Sequence, residues 1–234
     1  MLRITVPAID SSNRLSKLRA IAAIVTAVLF AKVLFTILLE YRWYFPPDFE
    51  SSVFLSGRRP SFVGVYRAAF YAHIVSGPVA VMLGAFLMLT GGRLRYLHVH
   101  RIVGRSQMLI VLVVVVPSGL VMARRAFAGP IAACGFASLA VGTALCATAA
   151  LYCVRNRRID EHQRWATRCF LLLASPLLLR LVAGAVIVMQ LESDWFYRLN
   201  AWLSWIIPLV LYETWSRNRA SNRIEQYNGE VSNH

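Results

Sequence analysis

The chain has 234 residues, of which 58% are hydrophobic and only 15% charged, and its formal net charge is +14. Soluble domains carry about 25% charged residues, and a chain of 26.2 kDa with a mean hydropathy of +0.56 has more apolar surface than a water-soluble core of that size hides. The composition excludes an ordinary soluble domain. It also excludes a nucleic-acid reader, because the arginines stand between apolar runs instead of forming one basic face.

A membrane-crossing helix needs roughly 20 mostly apolar residues, and lipid is the partner such runs require. The first run, Leu18 to Leu39, is long enough to span. It lacks a short apolar core followed by a small-residue cleavage site, so it reads as a retained helix and not a signal peptide. A longer connection follows, Glu40 to Val65, whose Tyr41-Arg42-Trp43-Tyr44-Phe45-Pro46-Pro47 stretch suits a membrane interface. Further runs are Tyr66 to Thr90, Ile102 to Ala123, Pro130 to Val154, Ala166 to Leu191 and Phe196 to Trp215, joined by short segments. None alternates as a strand does.

Pro78, Pro117, Pro176 and Pro208 fall inside these runs, where neighbouring groups must take up the carbonyls that proline leaves without a donor. Cys134, Cys146, Cys153 and Cys169 lie in or beside apolar runs without a CxxC spacing and read as small buried hydrophobes. Beyond Trp215 the chain turns polar, and no fixed structure is expected past about Arg223. The expected organisation is a tail over 1–17, a six-helix membrane domain over 18–216 and a polar tail over 217–234. The fold class is an all-α integral membrane bundle.

Arginine and lysine set the expected orientation. One alternate set of segments holds Arg3, Arg14, Lys17 and Arg19, then Arg93, Arg95, Arg101 and Arg105, then Arg155, Arg157, Arg158, Arg164 and Arg168, then Arg217, Arg219 and Arg223. The other set holds far fewer: Arg42, Arg58, Arg59, Arg124, Arg125 and Arg198, with Arg67 at the margin. The richer set is expected in the cytoplasm, which places both termini there, in a multi-pass protein of the cytoplasmic membrane.

Five histidines occur, and His234 is in the tail. His73 lies inside the second run, near its outer end. His98 and His100 enter the third run, and His162 enters the fifth. At about 100° per residue, His73, Gly77 and Gly84 share one face, and His100, Gly104, Gln107, Val111 and Ser118 form another stripe. His162 and Arg180 are about five turns apart, hence on one face.

Arg180 is deep in an apolar run, where a charge costs at least about 2.5 kcal/mol. It is therefore expected to face the bundle interior, with His73 or Asn200 as partner. Glu213 is expected near the inner cluster of Arg101, Arg105, Arg164, Arg168, His100 and His162.

Two chemistries suit these residues. Membrane-embedded histidines ligate haem iron, so His73, His100 and His162 are candidate ligands of haem b, with Arg180 or the inner arginines holding its propionates. The inner cluster could alternatively hold a quinone or an anionic lipid. Against both stands the plain reading that these groups anchor helix ends at the headgroups. An HxH at His98 and His100 is a weak metal signal, and Met82, Met88, Met108, Met122 and Met189 read as packing. There is no HExxH, GxSxG or phosphate-loop pattern, so no reaction is assigned. Transport of a small solute and service as a partner subunit stay open.

His73-x3-Gly77, Leu97-x2-His100-Arg101-x2-Gly104-Arg105, His162-x-Arg164-Trp165-x2-Arg168 and Leu179-Arg180-Leu181 occur in that order. Their order resembles the bacterial multi-helix membrane proteins grouped under domain of unknown function 2306, over about Tyr66 to Trp215. The sequence departs from that pattern at Gln163, where another Arg is typical, and at Ala166, where Met is typical. The resemblance implies a helical membrane fold and importance for the His and Arg positions, and it implies no activity. The arrangement also looks distantly like six-helix cytochromes b and ferric-reductase-like bundles.

Overall fold

The computed structural model describes residues 11–52, 54–191 and 193–232, with the side chains of 11–15, 19, 220 and 222–232 left aside. Arg3 and His234 lie outside the described residues. Six long helical elements follow one another: α1 (Ser11–Glu40), α2 (Gly64–Thr90), α3, α4 (Pro130–Arg155), α5 (Ile159–Val188) and α6 (Asp194–Ser232). α3 is composite, with α-helix over Leu97–Leu109 and Val116–Ala123 and a π-helical stretch over Ile110–Val115 between them. No strand occurs among the described residues. α1 to α5 are long and apolar enough to cross a membrane. α6 is not among them, since Arg198, Asn200 and several Trp and Tyr dilute its apolar half.

α5 is the hub of the bundle, packing on α1, α2, α4 and α6. α2 packs along α3, α3 on α4, and α4 on α6. Between lipid-embedded helices the driving force is close packing rather than release of water, and the core is correspondingly small-featured: Ala80, Val111, Cys146, Ala147, Leu172 and Leu173 are buried together. At Gly135 on α4, a Cβ would stand 3.1 Å from the Ala201 carbonyl oxygen of α6, so the absent side chain sets that helix separation.

Three helices start earlier than the apolar runs indicate, α1 at Ser11 among them. α5 begins at Ile159, with Asp160 and Glu161 in its first turn, where carboxylates complement the positive end of the helix dipole. Arg158 pairs with Glu161 across that turn. α3 begins at Leu97, so both His100 and His162 are helical residues. At the other end, α6 continues as helix to Ser232, through the polar segment where no fixed structure is expected. Cys146, Cys153 and Cys169 are buried as expected, whereas Cys134 is exposed; all four are free thiols.

Three of the four prolines inside helices, Pro78, Pro117 and Pro176, are visibly accommodated. Pro78 leaves the Ile74 carbonyl without its helical donor, and the Tyr41 hydroxyl donates to that carbonyl. Pro176 frees the Leu172 carbonyl, which accepts from the Ser175 hydroxyl at 2.7 Å. Around Pro117 the helix widens instead, and the Val116 N–H donates to the Val111 carbonyl five residues back. The Ser118 hydroxyl faces the carbonyls of Val114 at 2.5 Å and Val115 at 3.1 Å.

The connection between α1 and α2 is not simply an interfacial aromatic belt. Tyr44, Leu55, Phe62, Tyr66 and Phe70 are buried together, with Val121 and Met122 of α3 packed against them. Phe62 meets Phe70 edge-on at 5.2 Å between centroids, an arrangement favoured by ring quadrupoles. This aromatic cap closes one end of the bundle. The α2–α3 and α4–α5 connections, with their arginines, form the basic end.

Candidate functional site

The basic end brings two of the three expected histidines into one neighbourhood. Thr90, in the last turn of α2, donates its single hydroxyl proton to the Phe86 carbonyl at 2.8 Å. The same oxygen lies 3.2 Å from His100 Nδ1, so it can only accept there, and Nδ1 carries the ring proton. His162 Nδ1 lies 2.8 Å from the Ala150 carbonyl of α4. A carbonyl only accepts, so this nitrogen also bears the proton. His162 is close enough for its charge to act on His100.

His73 repeats the arrangement far along α2. Its Nδ1 lies 3.0 Å from Ser118 Oγ, whose own proton is directed at the Val114 and Val115 carbonyls. The ring packs on Gly119, where a Cβ would stand 3.3 Å from Cε1. His73 thus sits toward the aromatic cap, separate from His100 and His162. No group of three or more metal-ligating side chains occurs among the described residues.

The His73 ring meets both the Ser118 hydroxyl and the Val115 backbone, whereas in His100 and His162 the Nδ1–H is held by a group tied to a helix backbone and, among the described residues, no hydrogen bond occupies Nε2. In the neutral ring Nε2 then keeps its lone pair. Fixing one ring nitrogen through a backbone-tied acceptor and presenting the other is how proteins orient a histidine for a metal or a proton.

Arg168 of α5 and Glu213 of α6 form an ion pair. The guanidinium reaches the carboxylate with both arms, Nε to Oε1 at 2.5 Å and Nη2 to Oε2 at 3.1 Å. It also lies over the Trp165 ring at 4.5 Å. The side chains are only 20% and 31% exposed, so the pair is shielded enough to matter. Arg101, Arg105 and Arg164 are exposed and form no ion pair among the described residues. Arg158 takes Glu161 outside the cluster, which leaves Glu213 as the carboxylate paired within it.

The stripe on α3 turns inward as expected: Gln107, Val111 and Ser118 are buried. Gln107 donates from Nε2 to the Ala80 carbonyl at 3.0 Å, while its Oε1 is buried without a partner. Gly84 of α2 receives the Phe170 ring, since a Cβ there would stand 2.8 Å from Cδ2. Gly77 faces open space.

Arg180 departs from expectation. It is exposed and makes no hydrogen bond or ion pair among the described residues. Both proposed partners are engaged elsewhere: His73 with Ser118, and Asn200 by donating from Nδ2 to the Leu179 carbonyl at 2.9 Å. Its charge acts on Tyr41, Tyr44, His73 and Tyr197 without contacting them through a hydrogen bond. Thr90, Ser118 and the Ala150 carbonyl, which orient the histidines, were not identifiable as a set, because each pairs with a residue remote in the chain or carries no distinctive type.

Fold and site define a multi-pass, all-α membrane protein with histidines fixed at helix contacts. The model of the family described as "Predicted membrane protein (DUF2306)" matches residues 70–216, and the chain belongs to that family. No curated protein and no solved structure matches the chain.

Proposed function

We propose that the protein is a small redox carrier of the cytoplasmic membrane that binds haem b through His100 and His162. The observation that carries this reading is the shared state of the two rings, each with Nδ1–H held by the protein and Nε2 free of protein partners. The donor set fits the group: two imidazole nitrogens to ligate iron, and exposed Arg101, Arg105 and Arg164 to neutralise carboxylates at the rim of a porphyrin. Haem bound there supplies one-electron chemistry. Thr90 and Ala150 fix the ring orientations, and the Arg168–Glu213 pair ties α5 to α6. His73 stands too far along α2 to join the same group.

The experiment is an absorption spectrum of detergent-purified protein expressed with a haem precursor. A Soret band that disappears in His100→Ala and His162→Ala, with elution profiles unchanged, is the expected result. A wild-type protein without the band in either oxidation state would overturn the reading.

A second reading is favoured by one observation, the exposure of Arg101, Arg105 and Arg164, none of which forms an ion pair among the described residues: a quinone or anionic lipid held at the basic end. In that case the band is absent and the bound molecule leaves with the arginine substitutions rather than with the histidine ones. Either way, the basic end is assigned to the cytoplasm. A reporter fused after Trp215 should be cytoplasmic and one at Ser52 external; the opposite pattern refutes the orientation.

A further inference from the structure

At the aromatic end, a shallow, open cavity of about 450 Å³ lies between the α1–α2 connection and the turn that joins α3 to α4. Ser56, Gly57, Arg58 and Ser61 line one wall, and Arg125 and Phe127 the other. We propose that this cavity binds a phosphate group at the edge of the bilayer.

Arg58 is held there as a fixed fork. Its Nε donates to the Phe54 carbonyl at 2.8 Å, and its Nη1 donates to the Tyr66 hydroxyl at 3.1 Å and to the Arg125 carbonyl at 2.8 Å. Its guanidinium also stacks over the Phe54 ring at 4.5 Å. Both hydrogens of Nη1 are thereby used, and the two of Nη2 remain for a ligand. The Arg125 guanidinium lies over the Tyr66 ring at 5.7 Å and makes no hydrogen bond among the described residues. Two guanidinium groups so placed bind phosphate with directed N–H donors, which a point charge does not match.

The neighbouring acids do not answer them. Among the described residues no carboxylate lines the cavity, and Asp48 accepts from the Glu50 and Ser51 amides instead. Topology gives no account of these cations either, since the rule that collects arginine at membrane boundaries enriches one end, and these stand at the poorer end. The wall bearing Arg125 is pinned from behind: Ala128, in the left-handed region at φ 64°, turns its carbonyl to accept from Arg198 Nε at 2.9 Å. The cavity lies where α2 begins and α3 ends, with Phe127 exposed beside it, the depth at which lipid phosphates lie.

The test is native mass spectrometry of the full chain in detergent, with phosphatidylglycerol, diacylglycerol and inorganic phosphate as probes. Arg125→Gln removes one guanidinium that holds nothing else by hydrogen bond. Ser56→Asp adds a repelling carboxylate at the rim without breaking a side-chain hydrogen bond. Each should weaken retention of the phosphate-bearing probe about tenfold, the loss of roughly one charge-assisted contact. Phosphatidylglycerol retained by wild type and not displaced by inorganic phosphate assigns the site to a lipid headgroup. Inorganic phosphate bound in place of the lipid, with the same loss in both variants, assigns it to a soluble anion. Retention of diacylglycerol equal to that of phosphatidylglycerol, or variants indistinguishable from wild type with both phosphate probes, would overturn the proposal.

Discussion

His162 Nδ1 lies 2.8 Å from the main-chain oxygen of Ala150, a contact that ties the first turn of α5 to the last turns of α4. The neutral ring should therefore be the Nδ1–H tautomer. Nitrogen NMR of histidine-labelled protein checks this directly: His162 should show a protonated Nδ1 and a bare Nε2. A ring protonated on Nε2 alone would remove the basis for ligation there.

Tyr41 and Pro78 should be thermodynamically coupled. Tyr41→Phe orphans the Ile74 carbonyl in the membrane interior and is expected to cost about 1–3 kcal/mol of stability in detergent. Pro78→Ala returns a backbone N–H to that carbonyl. In the Pro78→Ala background, Tyr41→Phe should cost less than half as much, read from unfolding midpoints of the four proteins. Equal costs in both backgrounds would show that the hydroxyl is not serving that carbonyl.

Gly84 and Gly77 share a helix and should respond oppositely. Gly84→Ala drives a methyl to within 2.8 Å of the Phe170 ring, an overpacking expected to cost about 1–3 kcal/mol. Gly77→Ala meets nothing within 4 Å and should be neutral or slightly stabilising. Phe170→Leu should recover most of the Gly84→Ala loss.

Glu213→Gln removes the counter-charge of a partly shielded guanidinium. A loss of about 2 kcal/mol is expected, most of it the penalty left on Arg168. Arg168→Gln combined with Glu213→Gln should recover part of it in a double-mutant cycle, since no charge is then stranded. Additive losses would mean that the two residues act independently.

Asp48 supplies a pH test outside the membrane-crossing segments. The Ser51 amide, the Ser51 side chain and the Glu50 amide hold its carboxyl below the ordinary carboxylate range. A depressed value means that its contribution is present above the unfolded-state value of about 3.9 and fades as pH falls through the folded one. The Ser51 amide signal should titrate with a midpoint below that ordinary value, and Asp48→Asn should abolish the titration.

The helices were legible because twenty-residue apolar runs have one physical interpretation, and the inward stripe of Gln107, Val111 and Ser118 followed from helical period alone. What escaped were the pairings. Nothing local in Thr90 marks it as the acceptor for His100, and the Ala150 carbonyl is a main-chain atom that every residue possesses. Arg180 was assigned a partner from its cost in hydrocarbon, yet Asn200 spends its amide on the Leu179 carbonyl. The Glu40 to Val65 connection read as an interface belt because ring composition is the same whether rings face lipid headgroups or each other. The packing of Tyr44, Phe54 and Phe62 against Phe70 separates the two.

The widened turn over Ile110–Val115 makes this stretch a buffer for chain length. Five residues wound at about 100° each sweep nearly the same angle as six in the wider turn. Deleting one residue there should therefore restore ordinary α-helical winding with the downstream helix still in register, and Ser118 should still face His73. In the α-helical turns on either side no such slack exists, and a deletion would swing Ser118 by about 100°. A single-codon deletion should thus be tolerated within Ile110–Val115 and damaging a few residues before or after it.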